Sequence, residues 1–311
     1  MKKRIFALFL SALLLVTVLC ACGDESQSEV GGTGSDGTST SGEAVTGGEL
    51  VVGISQDLGD SLDPYQMTAA GTREVLFNVY EGLVKPTSTG EYVPAVASDS
   101  TVSEDGLTYT FPLREGVLFH NGEEVTTDDV IYSFETCAAT TVNSAVAEAL
   151  SAIVDTKTEG NQISFTLSAP NSDFISYVSN VYIVPKDYAE QATQPVGTGP
   201  FKYVSRSVQE NVVLEKNADY YGEQAKLDKV TYKIFEDNTA MMTALNAGGL
   251  DLVAHLTSDQ VNTLTNGYDV LEGTMNLVQA IYLNNAVAPF DNEKVRQAMC
   301  YAVDADAMME L

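Results

Sequence analysis

Only two histidines, His120 and His255, stand among the 311 residues. Neither has a second His or a Cys at ligand spacing, and no HExxH run surrounds them, so they do not form a zinc or metalloprotease pattern. His120 lies in FHNG beside an expected turn, and His255 follows an apolar segment. Both read as turn or surface residues ahead of a base or a metal ligand. The acid pairs Glu123-Glu124 and Asp128-Asp129 are adjacent, so their carboxylates face different directions. They read as a loop and a helix start, where negative charge suits the helix dipole. No GxSxG elbow and no GxxxxGK[ST] loop is present. Gly32-Thr33-Gly34-Ser35-Asp36-Gly37 matches GxGxxG, but neither a strand before it nor a helix after it is expected. The match reflects local composition. No catalytic residue, no metal site and no cofactor are expected.

The remaining reactive groups are four thiols. Cys22 closes a leader of ordered character. Lys2, Lys3 and Arg4 are followed by an almost wholly apolar stretch over residues 5–19, the length of a signal-peptide core and short for a membrane span. Then comes Leu19-Cys20-Ala21-Cys22-Gly23. A Leu three before a Cys, with small residues between, resembles the lipobox of bacterial lipoproteins. That resemblance implies cleavage after residue 21, a lipid on the sulfur of Cys22, and residence on the outer face of the cytoplasmic membrane. An ordinary secretory signal with an incidental Cys is the alternative. With Cys20 and Cys22 so assigned, Cys137 and Cys300 remain. Both fall on apolar helical faces and are expected as buried free thiols rather than a disulfide framework.

Removing the leader leaves 290 residues, room for about two domains with a sizeable core. It also takes the net charge from −27 to −30. That balance repels nucleic acid and anionic lipid, and it suits solubility at a cell surface. Residues 23–48 are dominated by Gly, Ser, Thr and acids and cannot bury a core. As a flexible coil they would reach roughly 25–30 Å, holding a folded body near its membrane.

Positioning elements begin at Glu49. Leu50, Val51, Val52 and Ile54 predict a strand, and Asp63-Pro64 a turn after it. Val75, Leu76 and Val79 predict a helix over 72–81 ending at Gly82. Asp105-Gly106 predicts a hairpin into the alternating Leu107, Tyr109, Phe111 and Leu113, with Pro112 marking an edge strand. Thr126 and Asp129 form a near capping box for a helix with Val130, Phe134 and Cys137 inward. Strands are predicted at 163–167, 201–205, 212–216, 230–234 and 281–283. Helices are predicted over 238–247, with Met241, Met242 and Leu245 inward, and after Asp291, with Val295, Met299, Cys300 and Ala302 apolar. The mixture is α/β or α+β in more than one lobe.

Several segments, in order, resemble one family. They are ELVVGISQDLGDSLDPY, VYEGLV, EYVPAVASDSTVSEDGLTYTFPLREGVLFHNGEEVTTDDVIYSFE, GTGPFKYVSRSVQENVVLEKNADYYG, IFEDNTAMMTALNAGGLDL and YLNNAVAPFDNEKVRQAMCYAVDADAMMEL. Together they cover nearly all of residues 49–311. The chain is similar to the extracytoplasmic solute-binding proteins of ABC transporters, family 5, the peptide/nickel class. It departs from the family in having no Trp, where such proteins usually carry one near Ser98-Asp99-Ser100 and one near Tyr221.

The resemblance implies a mixed α/β, type II periplasmic-binding-protein fold of two lobes. Lobe I would be built from 49–80 and 195–284, with an inserted subdomain at 81–194, and lobe II would start at 285–311. The family's greater length, and an ending on the apolar Met308-Met309, imply a fragment of a longer protein. The implied function is a lipid-anchored receptor, monomeric, that captures short peptides and hands them to a membrane permease with its ATPase. Nickel or another small solute, peptide sensing, and a secreted hydrolase are the alternatives. The implied ligand-facing residues are Gln56, Asp57, Leu58 and Ser61 in the loop after the first strand, and Tyr282, Asn284 and Asn285 at the lobe crossing. Asp57 would meet a ligand amino terminus or cap backbone N–H groups; both readings stand. Gly197 and Gly199 are expected to serve turn geometry, and Tyr65 and Tyr80 to pack.

Overall fold

The computed structural model describes residues 45–264, 267–273 and 280–304. Cys22, the leader, the coil up to residue 44 and Met308-Met309 lie outside the described residues. In chain order the elements begin with β1 (Glu49–Ile54), α1 (Ala70–Leu76), β2 (Val84–Pro86), β3 (Tyr92–Pro94), β4 (Thr101–Val102) and β5 (Thr108–Pro112). Next come α2 (Thr127–Ala139), α3 (Ser144–Leu150), β6 (Ile153–Glu159), β7 (Gln162–Leu167) and α4 (Phe174–Val178). Then follow β8 (Phe201–Ser207), β9 (Asn211–Lys216), β10 (Lys229–Ile234), α5 (Asn238–Asn246), β11 (Leu252–Val253), α6 (Ser258–Val261) and α7 (Glu293–Ala302).

Two main sheets result. A mixed five-stranded sheet runs β11-β1-β10-β9-β8, with β1 parallel to β10 and β11. An antiparallel four-stranded sheet runs β4-β5-β7-β6. The chain leaves the first sheet after β1, builds the second, and returns at β8. Tyr109, Phe111, Ile163, Phe165 and Leu167 turn one face of the second sheet into the core, stacked beneath Phe134 of α2. This is the alternation of a half-buried sheet. Val52, Leu214, Val212 and Val230 do the same for the first sheet, within one continuous core.

Several local expectations hold. Thr126 and Asp129 form a full capping box on α2, each side chain taking the other's backbone N–H. Val130, Phe134 and Cys137 are buried beneath it. Met241, Met242 and Leu245 are buried under α5.

Others are corrected. Helix α1 stops at Leu76 rather than running to residue 81. The Asn78 side chain donates to the Val75 carbonyl (3.0 Å), and the carbonyls of Asn78 and Val79 are taken by the N–H groups of Phe201 and Gly199. A distant segment thus claims the acceptors that the next helical turn would need. Pro112 is not on an edge: β5 lies between β4 and β7. It lies beyond the two-residue β4, which pairs only with Thr110 and Tyr109; there the neighbouring backbone is that of Ser98, whose N–H donates to the Pro112 carbonyl (2.8 Å). Residues 281–283 are coil, with Ile281 69 % exposed. Alternation marks a face, but a strand also needs a neighbouring backbone, and no backbone hydrogen bond reaches this stretch among the described residues. Asn292, not Asp291, caps α7 by accepting from Lys294 N–H (2.9 Å), because the Asp291 N–H closes the preceding turn onto Val287. No residue of α7 is buried, and Cys300 is exposed while Cys137 is buried.

Gly197 and Gly199 are needed for close approach rather than turn geometry. A Cβ on Gly197 would sit 2.2 Å from the Val79 carbonyl oxygen, and one on Gly199 2.4 Å from that of Asn78. Opposite them, His120 clamps the same segment. Its backbone N–H donates to the Gly197 carbonyl (2.9 Å), its Nε2 faces the Gly199 carbonyl (3.0 Å), and its Nδ1 faces the Gly197 N–H (3.4 Å). This pattern assigns the neutral ring with the proton on Nε2. Burial pushes the His120 pKa down to about 4; the Gly199 hydrogen bond opposes the shift and the charge of Lys202 adds to it. The unfolded chain, with an ordinary His, takes up its proton first. This clamp therefore contributes stability that is full above about pH 6.5 and is lost progressively as the pH falls to about 4, by about 3 kcal/mol at most. Urea midpoints between pH 7 and pH 4.5 should fall less steeply in H120Q than in the wild type; parallel curves would refute the clamp.

Candidate functional site

The loop after β1 is fastened from three sides. Asp57 Oδ1 accepts from Leu58 N–H (2.7 Å), Oδ2 accepts from Gln209 N–H (2.7 Å), and Arg206 Nη2 lies 3.0 Å from Oδ1. Burial works against this charge, but the Gln209 N–H, the Arg206 guanidinium and the Leu58 N–H outweigh it and hold the carboxyl below its usual range. Arg206 also donates to the carbonyls of Leu58 (2.6 Å) and Gly59 (2.8 Å). Gly59 N–H donates to Thr72 Oγ1 (2.7 Å). Further on, Asp63 Oδ1 accepts from Tyr65 N–H (2.8 Å), the Tyr80 hydroxyl donates to the Leu62 carbonyl (3.0 Å), and the Tyr65 hydroxyl donates to the Tyr182 carbonyl. Tyr65 and Tyr80 are buried.

The sequence-derived residues are thus placed as follows. Both Asp57 oxygens are occupied by groups of the chain itself, in the manner of a turn carboxylate. Leu58 is buried. Gln56 is exposed and its side chain lies over Gly71 at the start of α1. Ser61 is half-buried, its Oγ accepting from Asp63 N–H (3.3 Å). Tyr282, Asn284 and Asn285 are exposed. Asn284 Oδ1 accepts from Ala286 N–H (3.0 Å), and no hydrogen bond joins this segment to the 56–61 loop among the described residues.

A hollow of about 20 Å3 opens where this loop meets the second sheet's helices, room for one water or the head of a small polar group. It is lined by Pro64, Tyr65, Arg73, Thr140, Asn143 and Tyr182, with Val142, Asn180 and the buried Cys137 completing the wall. Its wall carries no carboxylate, in a chain with 43 acids against 16 Lys and Arg. The Arg73 guanidinium makes no hydrogen bond or ion pair among the described residues. Burial raises the Tyr182 pKa against the opposing charge of Arg73, so its hydroxyl stays protonated. Burial likewise pushes the Cys137 thiol up to about 11, which slows its reaction as a nucleophile. The Thr140 hydroxyl already donates to the Tyr65 carbonyl (2.7 Å), so the hollow offers the Tyr182 hydroxyl and the positive charge of the exposed Arg73 to an anionic oxygen. Sequence reasoning missed Arg73, Thr140, Asn143 and Tyr182. One signal was present, an Arg in a strongly acidic chain, but only folding brings these three segments together.

Residues 91–311 match the family described as bacterial extracellular solute-binding proteins, family 5, middle region. The chain belongs to this family. Among its relatives, the glutathione-binding protein GsiB of Pectobacterium atrosepticum is 29 % identical over 264 residues, 81 % of this chain and 51 % of GsiB. The solved structure of the periplasmic binding protein DppA of Helicobacter pylori, in complex with the peptide STSA, is 31 % identical. It covers 71 % of this chain and 49 % of its own, at a TM-score of 0.65. The dipeptide binding protein of Pseudoalteromonas sp. SM9913, in complex with Met-Leu, is 26 % identical. It covers 85 % and 58 %, at a TM-score of 0.72. This solute-binding protein chain thus spans about half the length of the relatives it matches. The likeness establishes the mixed α/β periplasmic-binding-protein fold, and the family is one of extracellular solute-binding proteins rather than enzymes.

Proposed function

We propose that the chain forms the first ligand-facing half of an ABC-importer receptor, held to the outer face of the cytoplasmic membrane through a lipid on Cys22. It captures short peptides for delivery to a permease, without making or breaking a bond. In this reading 49–80 and 195–284 form lobe I, 81–194 an inserted subdomain, and 285–311 the opening of lobe II. The carrying observation is the carboxylate-free hollow with the unpaired Arg73, which suits the carboxylate or a carbonyl oxygen of an extended peptide. Family membership and the peptide-bound relatives support the same reading.

Gln56, Ser61, Tyr282, Asn284 and Asn285 are proposed as contacts along the rest of the ligand. Asp57 and Leu58 are proposed to shape the loop from behind. A second reading, a nickel or other small-solute receptor, is favoured only if the solute brings its own anionic groups, because Arg73 repels a bare metal cation.

Titration of the full chain with Met-Leu should raise its melting temperature. R73A should weaken that binding by about tenfold, the worth of one charge-assisted hydrogen bond. No melting shift across a broad set of di- and tripeptides would sink the peptide reading. An unchanged affinity in R73A would remove the hollow from it.

A further inference from the structure

We propose that Arg206, on β8, is the positioning residue that sets Arg73 in the hollow, acting through the 57–59 loop and Thr72. This rests on the hollow being the ligand contact. The links are continuous. Arg206 grips the carbonyls of Leu58 (2.6 Å) and Gly59 (2.8 Å) and pairs with Asp57 (3.0 Å). On the far side of the same peptide group, Gly59 N–H donates to Thr72 Oγ1 (2.7 Å). Thr72 is fully buried, and the next residue in α1 is Arg73.

The anchoring is of a kind that a fold does not require. Arg206 and Asp57 side chains are 12 % and 18 % exposed, so the pair is largely withdrawn from water. Such a pair is weak as a stabiliser and strong as a geometric constraint. Arg206 Nε is buried without a protein partner, so the guanidinium is not placed to satisfy itself. It is placed so that its two terminal nitrogens span consecutive carbonyls, which a planar fork can do and an ammonium cannot. Helix α1 needs such outside support. It is seven residues long, and its N-cap, Ala69, makes no side-chain cap. The loop's hydrogen bond to Thr72 therefore decides where the first turn of α1, and Arg73 with it, stands.

Cys137 lines the same hollow and reports on it without any ligand. The test uses the full chain with C20S, C22S and C300S, leaving one thiol. Cys137 alkylation by iodoacetamide and the urea midpoint are measured together in the wild type, R206K and T72V. R206K keeps the charge opposite Asp57 but loses the fork; T72V keeps the buried shape but loses the acceptor. Both should raise the alkylation rate about tenfold beyond what their fall in urea midpoint accounts for. A purely structural Arg206 predicts that alkylation rises only in proportion to lost global stability, and that result, or an unchanged rate, overturns the proposal. A separate arm adds Met-Leu to the wild type. Protection of Cys137 supports the hollow as the ligand contact, and its absence sinks that reading while the alkylation rates still judge the positioning link.

Discussion

G197A should lose about 3–4 kcal/mol of folding free energy, a large share of a total of about 5–15 kcal/mol. The new methyl would stand 2.2 Å from the Val79 carbonyl oxygen and 2.8 Å from Tyr80 Cδ1. Neither neighbour can give. The Val79 carbonyl is held by Gly199 N–H (2.9 Å), and Tyr80 is 1 % exposed with its hydroxyl bonded to Leu62 and Gln191 (2.9 Å). Accommodating the methyl means separating the chain at 78–80 from the 197–199 segment, which also breaks the His120 clamp. G90A is the matched control. Gly90 has φ +84° but open space around its Cβ position. It should cost only about 1 kcal/mol, the strain of a side chain in the left-handed region. Urea unfolding followed by far-UV circular dichroism separates the two, and a G197A midpoint as close to the wild type as that of G90A would refute the close-approach role.

E81A should cost about 3 kcal/mol. Glu81 is 6 % exposed, and its carboxylate holds Lys85 Nζ (2.8 Å) and the hydroxyls of Tyr220 (2.8 Å) and Tyr221. Lys85 Nζ also reaches the Tyr220 hydroxyl (3.1 Å), and Arg114 lies over the Tyr221 ring at 5.6 Å. The knot ties the segment leaving α1 to the loop after β9, 139 positions away. Alanine strips the acceptor from two tyrosine hydroxyls and a lysine at once. The figure is set at the low end of the range for broken buried pairs because the Lys85 side chain is 43 % exposed and solvent screens part of the charge. E81Q keeps an acceptor for the tyrosines and should cost about 1 kcal/mol. Equal losses in the two variants would show that the hydrogen bonds to Tyr220 and Tyr221 carry none of the effect.

These two sites mark the boundary between what was legible and what was not. The capping box at Thr126 and Asp129 was legible because both partners sit three residues apart and depend on nothing else. So were the turn at Asp105-Gly106 and the inward faces of β7 and α5, since period and local turn chemistry determine them. The end of α1 was not legible, because its last acceptors are claimed by Gly199 and Phe201. The place of Pro112 on a central strand was not, because strand order is set by which distant backbone comes alongside. The coil at 281–283 was not, because alternation carries no information about a neighbouring backbone.

The site divides in the same way. The sequence pointed to the 56–61 loop, and its order of segments placed the chain in a solute-binding family. It left the role of Asp57 open, since a carboxylate that meets a ligand and one that caps a turn look alike in a single chain. In the fold the Asp57 oxygens meet Arg206 and Gln209, about 150 positions away. The hollow containing Arg73, Asn143 and Tyr182 draws on residues that no local pattern joins. By itself the sequence determined the class: a strongly acidic chain carrying, in order, the segments of a solute-binding family. Only the tertiary structure decided which polar groups are satisfied by the protein and which, like the exposed Arg73, have no protein partner among the described residues. The physical reason is that satisfaction of a charge or hydrogen bond is a property of contacts, and these contacts are made between segments far apart in the chain.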